Sequence, residues 1–104
     1  MRRVVWADAA KDDYLDILRH IASDDPDAAE RVLAAIQRSG NGLGDFATGH
    51  PGRVGGTYEK SLARLPYILA YAVSGEDTTI TILRVVHAAR DWQDGDWQDG
   101  DWPG

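Results

Sequence analysis

Two apolar runs joined by a turn limit the possible folds of this chain more than any other feature of its sequence. The first run extends from Leu65 to Val73. The second is apolar up to Val86 and then gives way to a histidine, an arginine and a tryptophan. Residues 74–77, which lie between the runs, are of turn-forming types. The pattern predicts a β-hairpin in which residues 67 to 86 form adjacent antiparallel strands.

The chain opens with a short strand pattern followed by a helical one. Residues 3–6 are β-branched and aromatic, which suits a strand that joins the hairpin in one sheet. From Asp8, which we predict to be the N-cap, apolar residues recur at helical spacing. The apolar face comprises Ala10, Tyr14, Ile17, Leu18 and Ile21, and the opposite, polar face comprises Lys11, Asp12, Asp13, Asp16 and Arg19.

A second helix follows after a short link. Asp25 can cap its first amides, and Pro26 suits its first position, where no backbone donor is missed. Residues 39–42 predict its end. Its apolar stripe comprises Ala29, Val32, Leu33 and Ile36. Because the link is short, we expect the two helices to form an antiparallel hairpin packed through their apolar faces.

The segment between the second helix and the hairpin predicts a loop and one more strand. Residues 44–56 contain five glycines and a proline, which indicates an exposed and mobile loop. A strand is expected around residues 57–61. The predicted fold class is therefore α+β: an N-terminal strand, an antiparallel helical hairpin, and then a three-stranded antiparallel sheet that carries the helices on one face.

Composition bounds the class of protein. A chain of 104 residues forms one domain, which we place at residues 1–92, and an obligate partner could supply part of its buried surface. The absence of cysteine excludes disulfides and thiolate chemistry, and the opening residues lack the apolar run of a signal peptide. Charged residues interrupt every apolar run before it could span a bilayer. We expect a cytoplasmic protein with no membrane partner.

The net charge of −6 argues against a partner with a phosphate backbone, but the charge is unevenly distributed. Residues 1–50 carry six basic and nine acidic side chains, residues 51–92 carry five and four, and residues 93–104 carry four aspartates. A local positive patch is therefore possible in the strand half. We predict that the binding of a macromolecular partner involves cations of this half together with Trp92; the cations are Arg53, Lys60, Arg64, Arg84 and Arg90.

The final residues repeat a five-residue unit. Asp-Trp-Gln-Asp-Gly at residues 91–95 recurs at 96–100, and a third copy begins at Asp101. The unit is too short for a solenoid repeat and too rich in glycine and aspartate to build a core. Residues 93–104 are therefore predicted to be a tail that is disordered unless bound. A functional alternative is that Trp97 and Trp102 anchor the tail in a partner's groove.

The hairpin carries motifs that resemble the RelE/ParE family of bacterial toxins. Residues 66–71 match its Pro-Tyr-x-x-x-Tyr strand, and residues 83–92 match its strand closing in Leu-Arg-Val-x-His-x-x-Arg-Asp-Trp. The resemblance covers residues 3 to 92 and implies the α+β fold described above. It also implies a toxin of a two-gene pair that is neutralised by a small, partly disordered antitoxin. The chain departs from the family at Tyr58, where arginine is usual.

Chemistry, if the protein has any, should lie where the last strand ends. A neutral imidazole at His87 could act as a general base, and Arg90 or Arg84 could hold a phosphate through paired donors. Each has a structural alternative, which for Arg84 is an ion pair with Glu59 or Asp91. The sequence offers no phosphate-binding glycine motif and no metal-spaced ligand cluster, so we predict neither a cofactor nor a metal.

The resemblance implies two possible targets. RelE-like toxins cut messenger RNA on the ribosome, and ParE-like toxins bind DNA gyrase and trap it. In RelE-like enzymes an arginine that works at the scissile phosphate follows the tyrosine of the middle strand, but here Ile68 follows Tyr67. Together with the acidic total, this departure favours gyrase. Because His87 and Arg90 could serve in RNA cleavage, a nuclease is retained as an alternative. A third alternative is an inactive member that only binds antitoxin.

Overall fold

A five-stranded sheet and two helices make up the computed structural model, which describes residues 2–52, 54–76 and 78–88. Residues 93–104, Arg53, Arg90 and Trp92, for which the sequence made predictions, lie outside the described residues. In chain order the elements are β1 (Arg3–Trp6), α1 (Asp8–Ala22), α2 (Pro26–Gly42), β2 (His50–Pro51), β3 (Tyr58–Ser61), β4 (Tyr67–Ser74) and β5 (Thr79–His87).

The predicted hairpin is confirmed. β4 and β5 pair antiparallel from Tyr67 opposite His87 to Ser74 opposite Thr79, with a bulge at Ala70 and Tyr71. The order across the sheet is β1-β5-β4-β3-β2. The α+β class is confirmed as well, with two differences. β1 pairs parallel to β5, which makes the sheet mixed, and β2 adds a strand of two residues. The alternation of side chains along a strand does not show whether it pairs parallel or antiparallel, so the direction of β1 could not be predicted. A strand of two residues is too short to show any alternation, so β2 could not be predicted either.

The starts of the two helices differ in how they are capped. Asp25 caps α2 as predicted, since its side chain accepts a hydrogen bond from the Ala28 amide at 3.1 Å and Pro26 follows in the first turn. The prediction that Asp8 caps α1 is wrong. Ala7 is the N-cap, without a side-chain bond, and Asp8 is the first helical residue. There its charge still favours the positive end of the helix dipole.

α2 continues through the glycines that were predicted to stop it and ends at Gly42. Gly40 is buried in this last turn, where a Cβ atom would lie 2.5 Å from Cη2 of Trp6 and 2.8 Å from Cδ1 of Ile82. The glycine therefore allows helix and sheet to approach closely. The end of β1 is fixed at the same point, because the Trp6 indole N–H donates to Oδ1 of Asn41 at 3.1 Å.

The main core lies between the helices and one face of the sheet, as the apolar stripes predicted. Tyr71 is among its members, at 1% exposure. The buried members are Ala10, Ile36, Leu43, Leu62, Leu69, Tyr71, Ile80, Ile82 and Val85. Ile68, Ala70 and Val86 form a second, smaller cluster, against which Val54 packs. The glycine-rich segment is thus partly packed, although it was expected to be an exposed loop.

Neither described helix is long and apolar enough to cross a membrane.

Candidate functional site

A groove of about 320 Å³ opens beside the end of β5. One wall is a stripe of α1, formed by positions that recur at three- and four-residue spacing and so share one side of the helix. The other wall comes from the first residue of β4 and the last three of β5. The lining residues are Asp13, Asp16, Ile17, His20, Tyr67, Val85, Val86 and His87. We call this feature the α1–β5 groove.

The groove brings together two histidines that are far apart in the sequence. His87 is exposed at the strand end, and its ring and that of Tyr67 form a T-shaped pair with centroids 5.7 Å apart. His20 lines the same groove from α1. In the sequence His20 stood beside the apolar stripe with no evident partner. Only the packing of α1 against β5 places it near His87.

Asp13 joins α1 to β5 through an ion pair that is largely shielded from solvent. Its carboxylate accepts bonds from Nε of Arg84 at 2.7 Å and from Nη2 at 2.8 Å. The same carboxylate accepts the Val85 amide at 2.8 Å. The Arg84 and Asp13 side chains are only 13% and 15% exposed. The prediction that Asp13 lies on the solvent face is wrong, and Arg84 has a partner that the sequence did not suggest.

The reason for this arrangement is the short length of β1. Its pairing with β5 ends at Trp6 opposite Ile82, and the chain then turns away into α1. Beyond Ile82 no residue of β1 is left to accept hydrogen bonds from β5. Asp13 supplies an acceptor at this edge, so that the Val85 amide remains bonded. A buried carboxylate is tolerated here because it is paired and hydrogen-bonded.

The other described cations lie on separate elements. Lys60 is half-buried on β3 opposite Leu69, whereas Arg64 is exposed in the turn before β4, with a φ of 65°. The Arg84 guanidinium turns toward α1. Arg53 and Arg90 are not among the described residues. Within the described residues these three cations thus lie on different elements, and their predicted binding roles stay predictions.

An aromatic pair lies on β3 and β4, toward the sheet edge that is farther from β1. Tyr58, at the position where arginine was expected, stacks on Tyr71 with ring centroids 5.5 Å apart and remains 39% exposed. The Tyr71 hydroxyl donates to the Thr48 carbonyl at 2.7 Å, which ties residues 43–49 to the sheet. Phe46 in this segment is 75% exposed.

Within the described residues, no three histidine, cysteine or carboxylate side chains gather in a way that could hold a metal ion. Among the polar side chains of the groove, Asp13 pairs with Arg84, Asp16 pairs with Arg19, and His87 packs against Tyr67.

With this geometry established, the chain can be compared with known proteins. The sequence model described as the ParE toxin of the type II toxin-antitoxin system parDE matches residues 4–92. The chain belongs to the ParE toxin family of type II toxin-antitoxin systems. A protein of Sinorhizobium fredii named as toxin Y4kP is 39% identical over 92 residues, which cover 88% of this chain and 93% of that protein.

Solved structures agree with this membership of the ParE family. A chain from the chromosomal ParDE toxin-antitoxin system of P. aeruginosa is 26% identical, with a TM-score of 0.77 over 84% of this chain and 96% of that one. A chain of the RelBE2 toxin-antitoxin complex of Mycobacterium tuberculosis is 30% identical, with a TM-score of 0.57 over 86% and 93%. The resemblance proposed from the hairpin motifs is therefore confirmed, and this protein is a ParE/RelE-type toxin.

The match to the ParE family ends at the first Asp-Trp pair, before the later copies of that pair in the repeats. Position 92 is the last one matched, and residues 93–104 lie beyond it. All the residues that line the α1–β5 groove fall inside the matched region.

Removing the Tyr71 hydroxyl should destabilise this ParE-family domain, because the segment around Thr48 loses its hydrogen bond to β4. We expect Tyr71→Phe to lower the free energy of unfolding by about 1 kcal/mol, because the hydrogen bond to the Thr48 carbonyl is lost while the ring stays packed. Urea unfolding measures this loss. Tyr58→Phe is the matched control, since the Tyr58 ring is more exposed, and an equal loss in that variant would contradict the assignment.

The same hydroxyl should make stability fall in alkaline solution. Burial raises the pKa of the Tyr71 phenol above its ordinary value, and the neighbouring Tyr58 adds to the rise while Arg2 opposes it. A pKa that is higher in the folded state means that the stabilisation is complete below the unfolded value of about 10 and is lost as pH rises through the folded value. The free energy of unfolding of the unmodified protein should therefore fall toward that of Tyr71→Phe as the pH rises above about 10, which urea unfolding at several pH values measures.

Proposed function

We propose that this protein inhibits growth from within the cytoplasm by binding DNA gyrase, and that a cognate antitoxin neutralises it. Membership of the ParE family supports a gyrase target over a ribosomal one. The observation that carries the choice is the position after Tyr67. The arginine that serves RelE-like nucleases there is replaced by Ile68, which is buried at 8% exposure in the small cluster with Ala70 and Val86.

The surroundings of His87 support the same choice. Cleavage of RNA needs a general base together with positive charge at the scissile phosphate. The described lining of the α1–β5 groove holds two aspartates and no lysine or arginine. The nearby Arg84 guanidinium is bound to Asp13. An incoming phosphate would meet carboxylates there, which favours inhibition by binding over catalysis.

The antitoxin interaction is part of the proposal. A segment that is disordered alone would order against the toxin by laying a helix on the helical hairpin and adding a strand to the sheet. The β3 side is the suitable edge, because β2 pairs only with Tyr58 and Glu59. Acidic side chains of such a segment would then meet Lys60 and Arg64.

Two assays with purified protein test the target. We expect inhibition of gyrase supercoiling or accumulation of cleaved DNA complexes, and no cutting of messenger RNA on programmed ribosomes. Ribosome-dependent cutting that His87→Ala abolishes would establish the nuclease instead. No response in either assay, with normal growth on induction, would leave a module that only binds antitoxin.

The surface that contacts gyrase can be tested with matched charge reversals. We expect Lys60→Glu with Arg64→Glu to reduce gyrase inhibition strongly, because both positions lie on the β3 side of the sheet. Arg19→Glu with Arg38→Glu is the control, since both arginines are exposed on the helices and the double change alters the net charge by the same amount. Equal effects of the two changes would show that general charge, rather than this surface, governs the inhibition.

A further inference from the structure

The last described residues of the chain, His87 and Ala88, lie at the mouth of the α1–β5 groove. His87 lines the groove, and the next residue, Ala88, is held in place because its amide donates to the Pro66 carbonyl at 2.7 Å. Residues 89–104 therefore begin directly beside this opening.

The composition of residues 89–104 matches what the groove can bind. They contain three tryptophans at five-residue spacing, each preceded by an aspartate. The groove offers the half-buried side chain of Ile17 and the ring of Tyr67, with Val85 and Val86 almost fully buried behind them. Indole is a large apolar ring with one N–H donor, and it binds best where apolar contact and a nearby acceptor coexist. The carboxylates at the groove can act as that acceptor.

The charge around the groove also admits an acidic segment. The Asp13 carboxylate is compensated by Arg84 at 2.7 Å and that of Asp16 by Arg19 at 2.9 Å. His20 also lines the groove, and an imidazole carries at least one ring N–H that can donate to a carboxylate. The net repulsion from the two aspartates is thereby reduced.

We propose that the Asp-Trp units of residues 91–102 are ligands for the α1–β5 groove of their own chain, and that one tryptophan occupies it at a time. Trp97 follows Ala88 by nine residues, which can span about 30 Å when fully extended, so its indole can reach the groove. Short flexible tethers give effective concentrations of about a millimolar, so a weak site is substantially occupied. Three Asp-Trp units, at different distances along the chain from Ala88, compete for one groove, and this raises its total occupancy.

The proposal is independent of the cellular target and adds a competitor for the groove. Any partner that binds there must displace the resident tryptophan. Loss of the repeats should then increase the affinity for such a partner while the fold stays the same.

The lack of cysteine makes a direct test possible in the full chain. We would introduce Gly100→Cys, attach a nitroxide label, and record the broadening of backbone amide signals by NMR. The amides of Ile17, His20 and Val85 should broaden several-fold more than those of Tyr58 and Glu59 on the far side of the sheet. Trp97→Ser with Trp102→Ser should reduce this broadening several-fold, by removing the two tryptophans that flank the label.

A matched pair on α1 tests the groove itself. Ile17→Ser removes a lining side chain and should reduce the broadening at Val85, whereas Leu15→Ser, at an exposed position outside the groove, should leave it unchanged. Uniform broadening, broadening centred elsewhere, or broadening that ignores the tryptophan substitutions would overturn the proposal. So would broadening that appears only between differently labelled chains mixed together, because the ligand would then come from a second copy.

Discussion

Replacing Asp13 by alanine is expected to lower the free energy of unfolding by about 3 kcal/mol, because one carboxylate accepts bonds from both the Arg84 guanidinium and the Val85 amide. The substitution leaves an enclosed cation and a strand amide without this acceptor. For a domain of this size the melting temperature should fall by about 15 °C. Thermal and urea unfolding measure both quantities.

Asp16→Ala is the matched control for this prediction. Asp16 lies one turn further along α1 and also pairs with an arginine, but that pair is 74% exposed on both sides. Exposed pairs contribute less than about 1 kcal/mol. Asp13→Asn should fall between the two, since it keeps an oxygen for the Val85 amide and loses the charge that faces Arg84. Equal effects of Asp13→Ala and Asp16→Ala would show that the edge of β5 does not depend on Asp13.

Gly40→Ala is expected to destabilise the protein by about 2 kcal/mol, although alanine is the better helix former. The added methyl group would lie 2.5 Å from Cη2 of Trp6 and 2.8 Å from Cδ1 of Ile82. Trp6 would have to move, and its hydrogen bond to Asn41 would be strained. Urea unfolding gives the size of the loss, and the fluorescence of the tryptophans should change with it.

Gly42→Ala, two residues later in the same helix, has the opposite expectation. Nothing lies within 4 Å of a Cβ atom at Gly42, so the change should be neutral or stabilising by about 0.5 kcal/mol. The opposite signs separate the effect of close packing from that of helix propensity. A stabilising Gly40→Ala would mean that Trp6 has room to move, and that the approach of α2 to the sheet is looser than described.

Much of the fold could be predicted because the signals are local. The apolar runs around residues 74–77, the stripes of the two helices and the Asp25 cap each depend on neighbours in sequence. The motifs of the hairpin were enough to identify the family, which the matches over residues 4–92 confirm. The two-residue strand β2 and the parallel pairing of β1 were missed, since neither leaves a periodic pattern.

The candidate site was predicted less well. His87 could be selected because it ends a strand, but His20 and Asp13 had no local signal that linked them to it. Asp12 and Asp13 are neighbours of the same type, and only the orientation of α1 turns Asp13 rather than Asp12 toward β5. Gly40 was taken as a helix stop, because a sequence cannot distinguish a glycine that ends a helix from one that lets an indole approach.

The sequence by itself determined the elements, their order and the family, because periodicity and turn chemistry act over a few residues. The tertiary structure alone decided which polar side chains meet. β1 ends at Trp6, opposite Ile82 of β5, and α1 then crosses the exposed edge of β5. That crossing makes Asp13 the partner of Arg84 and places His20 in the same groove as His87. Contacts between residues about seventy positions apart depend on how the elements pack, and packing is set by the whole core.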